Sequence, residues 1–245
     1  MLKFSPGSDN AKLRKLEAKT GKKIYSFSIR SGHNCPNAKE CKSMAVEDEA
    51  GKRHIEDGEF TKFRCFSASQ EVLWSGVYNQ RKDNEIILES AAKDFFNAGY
   101  ELASFLPKKA EIIRIHIGGD FKTYNYFMAW LIAAKLSPNV QFYAYTKQLP
   151  FWIKARNGDL IPKNFSLTAS YGGHSDHLIE RHNLKSAIVV NSEYQARKLG
   201  LVVDHNDHHA LVGERSFALV VHGMQPKGSE AGKAWQRIKK GQKNG

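Results

Sequence analysis

From Ile24 onward the chain alternates short apolar runs with amphipathic stretches. Residues 24–29 (IYSFSI) read as a strand, and a long polar stretch follows them. From Ile86 to Leu106, the positions Ile87, Ala91, Phe95, Ala98 and Leu102 fall on one helical face, which predicts a single helix. Residues 111–119 (EIIRIHIGG) read as a strand ending in glycines, and 124–136 as a helix stopped at Ser137-Pro138-Asn139. Further strands are expected at 140–146, 165–170, 186–191 and 217–223, with helices at 150–158, 174–183 and 192–200. Pro150 opens the first of these helices and Gly158 closes it. Ser192 and Gly200 bracket the last.

Strands that alternate with helices over short connections imply an α/β fold, a parallel sheet with right-handed crossovers. About six such units fit either a partial β/α barrel with outer helices or an open doubly wound sheet. At 245 residues the chain has room for a basic N-terminal segment (1–23), one α/β domain (24–223) and a basic tail (224–245). Both architectures place their chemistry at the carboxyl ends of the strands.

Polar and glycine residues gather at those ends. Arg30, Ser31 and Gly32 lead from the first strand to Cys35 and Cys41. Gly118, Gly119 and Asp120 follow the second, and Thr146 and Lys147 the third. Asn191 and Ser192 read as a helix cap. His116, two residues before the glycines, either faces the site or is a satisfied core histidine.

Composition narrows the setting. Apolar residues make up 41% of the chain, enough for a sizeable core, yet no apolar run approaches the ~18 residues of a membrane span. The N-terminus has no hydrophobic segment of the secretory type. Three cysteines, an odd and small number, predict a reducing cytoplasm. The net charge of +12, from 37 basic and 25 acidic residues, favours polyanions, DNA or RNA first. It equally describes a solvated lysine-rich surface. Part of the excess is concentrated at 12–23 and 233–245.

The cysteines are spaced C-x5-C-x23-C. Zinc takes four ligands, so a structural zinc would need His33 or His54 to complete a Cys3His set. A 4Fe–4S cluster on the same three thiolates would leave one iron open to a ligand. Three unconnected buried cysteines are the remaining reading, although the polar stretch around Cys35 is poorly suited to burial. Asp204 to His209 (DHNDHH), with His174 and His177, has the residue types of a hydrolytic metal site, but reads better as a surface loop of turn-forming residues. No Walker A sequence, dinucleotide fingerprint or nucleophile elbow is present. The aromatic groups YNYF, FYAY and FW sit at core spacing.

Four motifs then stand in a telling order: RSGHNCPNAKEC (30–41), RCFSAS (64–69), RIHIGGDF (114–121) and FYAYTKQLPFW (142–152). Together they resemble the phage gene-eighty-eight proteins, which are similar to a divergent branch of the radical SAM enzymes. The resemblance covers residues 24–152 and is looser beyond. It implies a partial β/α barrel in which Cys35, Cys41 and Cys65 hold a 4Fe–4S cluster. Gly118, Gly119 and Asp120 would then bind the amino group of S-adenosylmethionine. Lys147 and Arg30 would serve a carboxylate or phosphate, and His33, His116 and Thr146 would surround the cluster. The implied activity is radical chemistry on a nucleic-acid-related substrate in the host cytoplasm; the alternative is a non-catalytic iron–sulfur or zinc protein that binds nucleic acid. Two departures stand out. The usual radical SAM ligands lie in one C-x3-C-x2-C loop, whereas here residues 42–64 read as a polar insertion between the second and third cysteines. No cysteine follows Cys65, so no second cluster is expected.

Overall fold

A computed structural model of the chain describes residues 1–243. The strands are β1 (Ser5–Pro6), β2 (Ile24–Phe27), β3 (Ser43–Glu47), β4 (Arg53–Asp57), β5 (Ile112–Ile115), β6 (Gln141–Thr146), β7 (Phe165–Ser170), β8 (Ser186–Val190) and β9 (Phe217–Val220). Seven of them form one sheet in the order β1-β2-β5-β6-β7-β8-β9, while β3 and β4 form a separate pair. Only β1 runs antiparallel in the large sheet; every other pairing is parallel. From β2 to β9 the strand order rises without reversal, so the topological switch point of a doubly wound sheet is absent from the described residues.

Helices cover both faces. The N-terminal half carries α1 (Ala11–Thr20), α2 (Phe66–Leu73), α3 (Ser75–Asn84), α4 (Ile86–Lys93) and α5 (Phe95–Ser104). The rest are α6 (Tyr124–Leu136), α7 (Leu149–Asn157), α8 (His177–Arg181), α9 (Glu193–Lys198), α10 (His208–Val212) and α11 (Glu230–Lys243). Because side chains alternate along a strand, each strand serves two cores. Phe27, Ile113, Ile115, Phe142 and Leu167 face the larger core, where Trp130 of α6 is fully buried. Ile24, Ile112, Tyr143 and Phe217 face the other, closed by Leu13 and Leu16 of α1 and by Ala210 and Leu211 of α10. The basic segment 1–23 is therefore built into the sheet and its inner core. The aromatic groups lie in or against these two cores, as their spacing suggests.

Several expected elements change shape, each for a local reason. The helix expected over 86–106 is two: Asp94 adopts an extended backbone, and its carboxylate accepts the N–H groups of Phe96 and Asn97. The periodicity runs through the break because α4 and α5 both pack on α6. The first strand ends at Phe27, after which the Ser28 hydroxyl accepts the N–H groups of Ile117 and Gly118. The second ends at Ile115 because His116 takes a left-handed φ of 66°. The helix expected at 174–183 shrinks to α8, since Asp176 instead accepts the N–H groups of Gly172 and Gly173 in a tight turn. The last strand stops at Val220.

Residues 42–64 fold as an antiparallel hairpin, β3 with β4, in the register Ser43↔Asp57 to Glu47↔Arg53. The supposed surface loop 204–209 is also corrected. Asp204 and Asp207 are 3% and 1% exposed, and Asp207 lies against the inner face of the sheet.

Candidate functional site

A cavity of about 440 Å³ opens at the carboxyl ends of the parallel strands. Residues from both ends of the sheet line it, Lys12 near the first strands and Leu219 on β9. Cys35, Cys41 and Cys65 all stand in its wall. All three thiols are free.

The hairpin explains how the long gap between the second and third cysteines closes. An antiparallel pair returns the chain to where it started, and the ladder continues below β3 and β4. Gly58 N–H donates to the Lys42 carbonyl at 2.6 Å, and Lys62 N–H to the Glu40 carbonyl at 2.8 Å. Cys41 leads into the hairpin and Cys65 leads out of it into α2, so the two thiols end on the same cavity. The Cys35–Cys41 loop is pinned across the sheet rim. Lys39 and Glu40 donate their N–H groups to the Gly172 carbonyl, and Asn37 Nδ2 donates to the Lys147 carbonyl at 2.5 Å.

A buried polar knot joins the remaining parts. Ser31 donates its N–H and its hydroxyl to Glu71 Oε1, each at 2.9 Å. Arg81 Nη1 donates to the same oxygen and to Ser67 Oγ, both at 2.6 Å. Gly118 sits on this knot: a Cβ there would overlap Ser67 Oγ, Arg81 Nη1 and Ser31 Oγ. Its glycine is required by packing. Gly119, at φ 89°, is the glycine that faces the cavity. Glu71 and Arg81 were not expected from sequence; the only hint is that Glu71 is the one charged residue of α2.

Burial sets the state of the thiols. It pushes the Cys65 thiol up to about 11, helped by neighbouring Cys41 and opposed by the N–H groups of Ala68 and Ser67 at the start of α2. Cys35 is raised well above the ordinary thiol value by burial, then by Asp120 and the other two cysteines. Metal binding would deprotonate such thiols. Among the described residues, no three His, Cys, Asp or Glu side chains converge tightly enough to hold a single ion. One zinc draws its sulfurs to about 2.3 Å from one centre, whereas a four-iron cluster spreads its thiolates over separate irons. Three cysteines on one cavity are a donor set whose chemistry suits a thiolate-bound metal group.

The other expected site residues are distributed unevenly. Asp120, Thr146, Lys147 and His116 line the cavity. Asp120 accepts from the Thr146 hydroxyl (2.6 Å), Lys147 N–H (2.8 Å) and Phe121 N–H (2.8 Å). A carboxylate has about four lone-pair sites, so one is left. Lys147 is not free to orient a substrate: its Nζ donates to Ser170 Oγ and to the carbonyls of Ser170 and Tyr171. Arg30 does not reach the cavity lining; it forms a two-point pair with Glu85 at 2.8 and 2.6 Å and also meets Tyr78. His33 turns to the Ala45 carbonyl of the hairpin at 3.0 Å, away from any zinc set, and His54 stands half exposed beside Glu56. His116 is a satisfied core histidine on one side, bonded through Nε2 to the Tyr126 hydroxyl at 3.0 Å.

These features define an α/β protein with a cysteine-lined cavity at the carboxyl rim of a sequentially ordered parallel sheet. A family model described as Gene product 88 matches residues 2–240, so the chain belongs to that bacteriophage family. No curated protein and no solved structure matches the chain. No helix among the described residues is long and apolar enough to cross a membrane.

Proposed function

We propose that the protein is an iron–sulfur protein of the radical SAM type, built on a partial β/α barrel. One observation carries this reading: three thiols from separate segments line a single cavity at the strand carboxyl ends, with Gly119 and Asp120 in the same wall. The unreversed strand order supports the barrel, since six parallel strands follow one another in sequence order around the cavity. Cys35, Cys41 and Cys65 would hold the 4Fe–4S cluster. When bound, the cluster and S-adenosylmethionine would together supply a radical by reductive cleavage.

The chain's own residues have narrower tasks. The one lone-pair site left on Asp120 would accept the ammonium of S-adenosylmethionine, and Gly119 would let that group approach the backbone. Thr146 and Lys147 act by holding Asp120 in place. The polar knot of Ser31, Glu71, Arg81 and Ser67 keeps the Cys35 loop, the start of α2 and the Gly118 turn in register.

Anaerobic purification tests this, with iron, sulfide and zinc quantified and the reduced EPR spectrum recorded with and without S-adenosylmethionine. A four-iron signal that changes on adding it is the expected result. Zinc without sulfide would overturn the cluster.

A second reading has its own support. The net charge is +12, and α11 is a basic helix whose apolar side is already spent on Val221 and Phe63. Such a helix suits phosphate contact better than membrane insertion, which needs a free apolar face. In this reading the cluster is structural or redox-active and the protein binds DNA or RNA in the host cytoplasm without turnover. An EPR signal indifferent to S-adenosylmethionine, with salt-dependent nucleic-acid binding, would favour it.

A further inference from the structure

The cavity has a second pole that the cysteines do not use. Arg114 lies on β5 between Ile113 and Ile115, which face the larger core, so strand alternation turns its side chain to the opposite, inner face. There it is 7% exposed and lines the cavity. Its Nη1 donates to Asp207 Oδ2, and its guanidinium lies 5.1 Å from the centre of the Tyr145 ring. The hydroxyls of Tyr143 and Tyr145 donate to the same carboxylate at 3.3 and 3.1 Å, and the Lys12 ammonium stands 3.5 Å from it.

Two cations therefore share one carboxylate that also accepts from two tyrosine hydroxyls. The other charges nearby do not balance them. Asp204 lies outside the cavity lining and accepts the N–H groups of Asn206 and His209. Asp9 is exposed at the mouth, Arg64 is paired with Asp57, and Asp120 and Lys147 are engaged as described. Arg114 also keeps an unanswered donor: its Nε is buried and has no hydrogen-bond partner among the described residues. Guanidinium carries five donors in a planar fork that matches carboxylate and phosphate oxygens. Beside it the wall turns apolar, at Ile117, Val189 and Leu219.

We propose that this pole is an anion subsite, in which Arg114 and Lys12 bind the carboxylate or phosphate of a small organic molecule whose apolar part rests on Ile117, Val189 and Leu219. Binding stands without the cluster; only the ligand's role as substrate rests on the iron–sulfur reading above.

The test is calorimetric titration of the full, metal-free chain with phenyl phosphate and with benzoate, repeated after cluster loading. Saturable one-to-one binding of either is expected, and the one preferred identifies the anion as phosphate or carboxylate. Lys12→Met, at a partly exposed position, should weaken that binding roughly tenfold, the worth of one hydrogen bond to a charged group. Removing Arg114 alone would strand Asp207, so Arg114→Met is combined with Asp207→Asn, and a cooperative thermal transition certifies the fold. That double variant should abolish binding. Failure of both probes to saturate the wild type, or equal affinity in Lys12→Met, overturns the subsite. Loss of iron and sulfide loading with anion binding retained would instead overturn the cluster reading alone.

Discussion

Glu71 on α2 accepts two hydrogen bonds from Ser31, 40 positions earlier, through one carboxylate oxygen. These two bonds tie the loop that carries Cys35 to the helix that follows Cys65. Both residues are fully buried, and Arg81 supplies the compensating charge. Removing one member of a buried pair strands the other.

Glu71→Ala should therefore lower stability by about 3–5 kcal/mol in urea denaturation. It should also impair metal loading, because the two cysteine segments lose their tie. Full stability in this variant would show the knot to be incidental.

Each of Cys35→Ala, Cys41→Ala and Cys65→Ala should abolish iron and sulfide loading after anaerobic reconstitution. The thermal midpoint of the metal-free protein should change little, since all three side chains line a cavity rather than the packed core. Retention of the full cluster in any one variant removes that residue from the ligand set.

Gly118→Ala places a methyl group on Ser67, Arg81 and Ser31 at once. Overpacking of this kind costs about 1–3 kcal/mol. For a chain of this length that corresponds to a drop in Tm of roughly 2–12 °C, read by calorimetry. Unchanged Tm would mean the knot has room to shift.

Asp120→Ala leaves the Thr146 hydroxyl and the N–H groups of Lys147 and Phe121 without their acceptor. Stability should fall by at least about 3 kcal/mol, at roughly 1–3 kcal/mol for each of the three buried groups left unsatisfied. Cluster loading should survive while affinity for S-adenosylmethionine weakens, measured by equilibrium dialysis. Unaltered affinity would separate Asp120 from cofactor binding.

Acid should destabilise the protein through His116. Burial, reinforced by Arg114, lowers this imidazole to about 3, against about 6.5 in the unfolded chain. The unfolded state therefore takes up the proton first. The stabilisation is complete above pH 6.5 and is lost progressively as pH falls toward 3, amounting to about 3 kcal/mol between pH 6.5 and 4. Urea midpoints measured across that range should fall in the wild type, and more gently in His116→Asn, whose side chain tolerates the left-handed backbone. Parallel slopes would assign the effect elsewhere.

Much of the fold was legible in the chain's periodicity. Helix 124–136 and strand 165–170 lie where the pattern places them, because an apolar run closed by Pro or Gly states both its type and its length. The hairpin at 43–57 was not legible. Nearly half of its residues are charged, and only Ala45 and Ser43 are buried along β3, so no alternation of apolar side chains announces it. Asp94 and His116 broke expected elements through backbone geometry, which periodicity does not encode.

By itself the sequence determined the α/β class, the gathering of cysteines and glycines at strand ends, and the three thiols as the candidate ligands. These depend on residue type and local spacing. Tertiary structure decided the rest. It brought Cys41 beside Cys65 through an antiparallel return, drew Arg30 to Glu85 and Lys147 to Ser170, and buried Asp207 against Arg114. Those pairings join positions up to 93 residues apart, and long-range charge pairing follows from which buried ions find partners, a property of the packed chain rather than of any segment of it.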